Sequence, residues 1–356
     1  MSTTYRTAIV GCGNISHTHA STYRRHPCID LAAGADIDAE RLAAFRERWE
    51  VPAGYGDYRE MLAEVKPELV SICTYAKLHW PMLKACAEAG VRGIICEKPM
   101  LNSPAELPLV RELVDQTGVK IVLGHMRRYG MAHLRARELV LGGEIGDPIL
   151  VVGTLTGGGL AEMGSHWIDL MRHLIGDPEV VSVLAQTNMH DGTLCGHAQE
   201  DDAVLLMEFA GGIKGLFESG QTTLKDNVLT LIVGSQGSIQ ILGEDDLVIS
   251  GPDGVRKEDL MDEQPEQWKA LGLELPEPWW NYKWDILLRE YLAWVDGGEA
   301  PLTCADQALK ATEAYMAGYL SAIRREKIHL PLPGKDLTLD EWPGDVLARL
   351  ASDRSV

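Results

Sequence analysis

Gly11-Cys12-Gly13-Asn14-Ile15-Ser16 directly follows an apolar run at residues 6–10 and opens a helical stretch, and this order of strand, glycine loop and helix decides the fold class. Gly11 permits the tight turn, and Gly13 lets main chain approach a pyrophosphate. The N–H groups near Asn14 and Ile15 point at that pyrophosphate from a helix N-terminus. Ser16 stands where a third glycine is usual, and a small residue there still allows close packing of helix on strand. About 25 residues beyond Gly11, Asp36 ends a second apolar run, where an acid binds the adenosine ribose hydroxyls. The cofactor expected is therefore NAD. Arg41 on the next helix can reach a 2′-phosphate, so NADP stays open. Taken alone, Asp36 also suits a helix N-cap or a turn.

Outward from the loop, apolar runs at 31–35, 69–73, 93–96 and 120–124 alternate with amphipathic stretches. Helix starts are signalled by Asp38 before 40–49, by Asp57 before 60–65 and by Ser103-Pro104 before 106–115. Gly90 and Gly118 each follow a helical run where a C-terminal cap is wanted. The pattern predicts an N-terminal Rossmann domain, a doubly wound parallel sheet, over residues 1–125. After Met131 the texture changes to a helical run reaching about Leu141, a turn at 142–148 and a strand from Ile149. A helix near 165–174 then precedes alternating runs at 180–185, 203–209, 213–218, 228–233 and 238–242, and helices at 282–295 and 305–325 follow. The stretch after residue 125 thus reads as a second domain built on one antiparallel or mixed sheet.

Composition narrows the partners. With 356 residues, 46% of them hydrophobic, the chain can build two cores. A formal charge of -19 repels phosphate backbones and anionic membrane surfaces, which argues against nucleic acid and membrane partners. The seven cysteines, an odd set with no CxxC pair, fit buried free thiols in a reducing compartment. No basic leader or spanning apolar run is visible, and a cytoplasmic location is expected.

At Ile94-Ile95-Cys96-Glu97-Lys98-Pro99 the chain resembles the glucose-fructose oxidoreductase/inositol dehydrogenase/MocA (Gfo/Idh/MocA) family, whose hallmark is the Glu-Lys-Pro tripeptide. The resemblance extends over the glycine loop, Ser71-Ile72-Cys73-Thr74 with His79 five residues on, the segment 124–128, and 157–176. It implies that Thr74 and His79 line the cofactor and that Glu97 and Lys98 lie near the nicotinamide and its ribose, with Lys98 also facing substrate. Tyr75 replaces the proline usual after the threonine. His79 read alone is a helix-start residue, and Lys98 read alone is a solvated one. An ammonium beside the reacting oxygen has its own rationale, since it lowers the pKa of an alcohol with little rearrangement.

Glu162-Met163-Gly164-Ser165-His166-Trp167-Ile168-Asp169 resembles the family's DxGxHxxD, with Glu162 where an aspartate is usual and His166 on the catalytic histidine. A neutral imidazole there accepts the hydroxyl proton as hydride leaves the same carbon. Glu162 and His166 are the expected substrate contacts, joined by Arg128, for which substrate or cofactor binding and pinning of the domain interface are equally open. Asp169 and His173 share a helix face and can pair. A metal at His166, Asp169 and His173 is not expected, because hydride transfer leaves it no task. Trp279, Trp280, Tyr282 and Trp284 suit packing or stacking on a sugar ring.

The resemblance implies a doubly wound Rossmann domain followed, over residues 126–356, by an α/β domain with a large open, mostly antiparallel sheet for substrate binding and oligomerisation. It also implies hydride transfer between NAD(P) and a hydroxyl carbon of a sugar, inositol or related polyol, in a homodimer or homotetramer built through that sheet. The alternatives are an enzyme that retains NAD for transient oxidation during epimerisation or glycoside cleavage, and a ligand sensor that has lost its chemistry.

Overall fold

The computed structural model describes residues 4–188, 193–194, 197–198, 200–220, 229–243, 246–260 and 281–333. Two compact units emerge. The first takes its described residues from 1–102, 106–126 and 276–308, and the second from 103–105, 127–275 and 309–356.

The first unit is a six-stranded, wholly parallel sheet. Its strands are β1 (Tyr5–Val10), β2 (Ile29–Ala35), β3 (Ala53–Tyr55), β4 (Leu69–Ile72), β5 (Gly93–Cys96) and β6 (Lys120–Leu123), in the order β3-β2-β1-β4-β5-β6. β4 and β5 are buried at every position, as strands covered by helices on both faces must be. The helices are α1 (Asn14–Arg25), α2 (Ala39–Trp49), α3 (Tyr58–Val65), α4 (His79–Glu88) and α5 (Leu107–Thr117). Asp38 caps α2 by accepting from Glu40 N and Arg41 N, and Asp57 caps α3 through Arg59 N. Gly118 closes α5 with φ +69°.

β3 escaped the sequence pattern because it is three residues long and carries a glycine at its centre. A Cβ on Gly54 would lie 2.5 Å from Arg46 Cδ, so any larger residue there displaces the Arg46 side chain.

The helix Tyr282–Val295 returns to this unit and packs on α1 and β6. The division into 1–125 and 126–356 is therefore amended. Asp285 on the returning helix is 1% exposed and meets both Arg25 (2.8 Å) and His26 (3.3 Å) at the end of α1, and Leu123 N donates to Thr303 O. Contacts so distant in sequence leave no local trace in the hydrophobic pattern.

The second unit is built on a nine-stranded sheet. Its strands are β7 (Pro148–Thr156), β8 (Val180–Asn188), β11 (Asp202–Phe209), β12 (Lys214–Gly220), β13 (Leu229–Gly234), β14 (Ser238–Leu242), β15 (Asp246–Gly251), β16 (Gly254–Asp259) and β17 (Ile328–His329). A two-stranded ribbon, β9 (Thr193–Leu194) with β10 (His197–Ala198), stands apart. The order is β16-β15-β14-β13-β7-β12-β11-β8-β17, antiparallel throughout except for β7 with β12. β15 to β17 lie beyond the runs read from sequence. α6 (Met131–Leu141) and α7 (Ser165–Leu174) pack on the sheet, and Gly153 lets α7 approach β7, because a Cβ there would come within 2.8 Å of Trp167 Cδ1. The helix Ala305–Arg324 reaches Leu205 of β11 through Gly318. No described helix is long and apolar enough to cross a membrane.

Candidate active site

The glycine loop links β1 to α1 at the carboxyl edge of the first sheet. Gly11 has φ +87°, and a Cβ there would sit 2.6 Å from Cys73 O, a main-chain atom that cannot give way. At Gly13 the opposite holds: nothing lies within 4 Å of a Cβ position, so main chain is bare toward open space. α1 starts at Asn14 with no side-chain cap and no acid in its first turn. Its leading N–H groups and positive dipole end are left for a ligand, which is the cradle a pyrophosphate needs. Ser16 is fully buried and donates its hydroxyl to Gly13 O at 2.5 Å, so it braces the loop from within.

Asp36, at the end of β2, accepts from Cys12 N through Oδ2 and from Asp38 N through Oδ1, both at 2.8 Å. The helix cap is Asp38, which frees Asp36 for another task. Two donors fix the carboxylate and leave acceptor capacity for ribose hydroxyls. Arg41 Nη1 lies 3.5 Å from Asp36 Oδ2 and its side chain is half exposed. These residues fit NAD.

Thr74 is half-buried after β4, its Oγ1 3.4 Å from Met82 Sδ. His79, expected to line the cofactor, lies behind that loop instead. It is fully buried, with Nε2 3.0 Å from Thr74 O and Nδ1 3.1 Å from Met100 O. Burial lowers its pKa and favours the neutral ring, which donates to one of the two carbonyls. His79 thus pins loop to loop.

Glu97, expected near the nicotinamide and its ribose, also has most of its side chain buried. It is 4% exposed and turned inward: Oε2 accepts from Lys98 N at 3.1 Å and Oε1 lies 3.1 Å from His19 Nε2. His19 Nδ1 is 2.9 Å from Ser71 Oγ, and Ser71 is bonded in turn to the Tyr23 hydroxyl. The ring of Trp284 lies 4.4 Å from that of His19, which settles this tryptophan as packing. Tyr282 is likewise buried, whereas Trp279 and Trp280 lie outside the described residues. Lys98 is half-buried just past β5, ahead of a cis Pro99. Gly11, Gly13, Asn14, Ile15, Asp36, Thr74 and Lys98 all stand at or just past strand ends on one edge of the parallel sheet, where doubly wound folds bind ligands.

In the second unit, a turn of π-helix (Leu160–Gly164) carries Glu162 and runs into α7, whose second residue is His166. Glu162 is half-buried and His166 is 6% exposed. Beneath the turn, Glu200 accepts from Leu160 N (2.5 Å) and the Tyr319 hydroxyl (2.7 Å), and burial pushes its carboxyl up. Gly159 must lack a side chain, because a Cβ would meet that carboxyl at 2.5 Å.

Arg128 is withdrawn from the substrate contacts. It is completely buried, with Nε 2.6 Å and Nη2 2.7 Å from the two oxygens of Asp169, and Nη1 2.7 Å from Asp177. This bidentate grip ties the turn before α6 to α7. It also engages the carboxylate of Asp169, while His173 Nδ1 lies 3.9 Å from Asp177. Burial opposes the charge on Asp177, but His173, Arg128 and Arg137 outweigh it and hold its carboxyl well below the usual range. Arg127 lies 4.2 Å over the Trp167 ring, and burial lowers its pKa to about 10. Among the described residues no cluster of His, Cys, Asp or Glu is placed to hold a metal.

His19 and Glu200 were not singled out from sequence. A histidine on the inner face of a helix, or an acid just before a strand, gives no signal until partners 40 to 119 residues away are known.

A glycine cradle over β1 and an acid fixed at the end of β2 define a dinucleotide-binding protein of the Rossmann class. Residues 5–125 match the oxidoreductase family with an NAD-binding Rossmann fold, and residues 133–240 match the GFO/IDH/MocA C-terminal domain. The chain belongs to the Gfo/Idh/MocA family and is an NAD-binding oxidoreductase. It is 24% identical to the D-apiose dehydrogenase of Paraburkholderia graminis, over 92% of this chain and 90% of that one. The myo-inositol 2-dehydrogenase of Thermotoga maritima is 26% identical, over 74% and 80%. In fold, the chain resembles a levoglucosan dehydrogenase solved with NADH and levoglucosan, with TM-score 0.80 and 20% identity over 92% of this chain and 100% of that one.

Proposed function

We propose that the protein is a cytoplasmic dehydrogenase that oxidises a secondary hydroxyl of a sugar, inositol or related polyol. The observation that carries this reading is Lys98, half-buried past β5 with its main chain held by a buried carboxylate, on the same sheet edge as the nucleotide cradle. Bound NAD supplies a hydride acceptor. The Lys98 ammonium steadies the substrate oxygen as negative charge builds on it, and the His166 imidazole takes the hydroxyl proton. Glu162, on the turn that leads into α7, holds a neighbouring hydroxyl. The relatives that act on apiose and myo-inositol support a polyhydroxylated substrate. Six described cysteines, Cys12, Cys28, Cys73, Cys86, Cys96 and Cys304, are unpaired, which suits a reducing compartment, and Cys195 lies outside the described residues.

A second copy of the chain is the proposed partner of the open sheet. Leu184, Leu206, Leu216, Val152 and Leu231 stand in register across β8, β11, β12, β7 and β13, with Leu206 51% and Leu184 41% exposed. An exposed apolar row of this kind is a surface that a second copy can cover about a twofold axis. The activity is tested by following NADH absorbance across sugars, inositols and sugar acids. With the best substrate, His166→Ala is expected to lower kcat by about 10²- to 10⁴-fold while NAD affinity stays nearly unchanged. Unchanged turnover removes His166 from the mechanism.

A further inference from the structure

Under the Glu97–Lys98 turn lies a hydrogen-bonded chain that the reaction as proposed does not use: Tyr23, Ser71, His19 and Glu97, contributed by α1, β4 and the end of β5. All four are buried, with His19 at 1% and Ser71 at 0% exposure. Its direction follows from donor accounting. A carboxylate only accepts, so His19 Nε2 carries the proton that meets Glu97 Oε1. In a neutral ring Nδ1 then accepts from Ser71, whose oxygen accepts from Tyr23. The chain ends there, at a phenol 2% exposed and pushed well above its ordinary pKa by burial, so it offers a proton no exit. Space around it is closed as well. The Trp284 ring packs against the imidazole at a tilt of 53°, and a Cβ on Gly124 would come within 2.7 Å of Glu97 Oε1.

We infer that His19 is a positioning residue for Lys98: anchored by Ser71 and Tyr23, it fixes the Glu97 carboxylate, which holds the Lys98 main chain by its N–H. This inference rests on the catalytic reading of Lys98 given above. Loss of the His19 donor leaves Glu97 free to turn, and displacement of a group at the reacting centre by about 1 Å can cost as much as 100-fold in rate.

Two substitutions separate the two ends of the ring. The amide nitrogen of Gln reaches where Nε2 stands, and that of Asn only where Nδ1 stands. His19→Gln should therefore keep kcat within about threefold of wild type, while His19→Asn should lower it by about 10- to 100-fold with KM little changed. Equal losses in both variants, or full activity in His19→Asn, overturn the inference. Lys98→Met serves as the control. If it lowers kcat strongly and His19→Asn does not, the inference alone fails. If Lys98→Met is as active as wild type, the catalytic reading of the turn fails and takes the inference with it. A measurement without substrate or substitution backs these: in ¹⁵N-labelled wild-type protein the His19 ring should be protonated at Nε2, and a tautomer protonated only at Nδ1 overturns the inference even if His19→Asn does not fold.

Discussion

Asp36 shows how much one carboxylate gains from being held. Its oxygens are aimed by Cys12 N and Asp38 N, so binding ribose hydroxyls orders no further rotamer, and a 2′-phosphate meets a charge that cannot swing away. NAD should bind at least about tenfold more tightly than NADP, a gap of roughly 1.4 kcal/mol. Asp36→Ser should narrow it, because Arg41 is then released from its pair with Asp36. Calorimetric titration of both cofactors decides, and equal affinity for wild type sinks the assignment. Asp36, Gly11 and Gly13 were legible in the sequence because their spacing along one strand-loop-helix unit is itself the signal. Arg128 was not: its partners lie 41 and 49 residues on, so both of its readings stayed open until the fold closed the distance. For Glu97 and His79 the motif gave position but not side-chain direction: both side chains are buried against neighbouring loops and residues.

Among the elements, the helix Tyr282–Val295 is anchored by residues more than 250 positions away in sequence. Asp285 is buried and engages Arg25 and His26, so its charge is compensated by residues at the far end of α1. Asp285→Asn keeps the shape and removes the charge. A fully buried pair broken in this way costs about 3–5 kcal/mol, and partial exposure of Arg25 reduces the expectation to about 2 kcal/mol. Thermal unfolding should register a Tm lower by about 4–8 °C. A Tm within about one degree of wild type would show that apolar contacts alone anchor the helix. The boundaries of this helix were readable from its periodicity, and those of α7 and β14 were as well. Its allegiance was not, because periodicity reports which face is buried and never against what.

At the level of the molecule, the open sheet is where sequence alternation was most informative. Leu206 points one way and Leu205 and Met207 the other, so strand existence and the two faces were both written in the run 203–209. β16 and the two-residue β17 are the edge strands of this sheet, and pairing register reveals them where alternation does not. If the apolar row is the contact between copies, Leu206→Glu should shift the wild-type dimer or tetramer toward monomer in sedimentation, leaving the NAD affinity of the first unit intact. A wild-type protein that sediments as a monomer at micromolar concentration refutes the contact. The split first unit has a further consequence, in the time order of synthesis. Residues 4–126 leave the ribosome long before Trp284 and Asp285 exist, so a nascent chain carrying the whole glycine loop still lacks the ring that packs against His19 and the charge that answers Arg25. The nucleotide unit must wait, part-built, while the entire second sheet except β17 is translated, and a chain cut before residue 282 is left with an open flank that no later packing can repair.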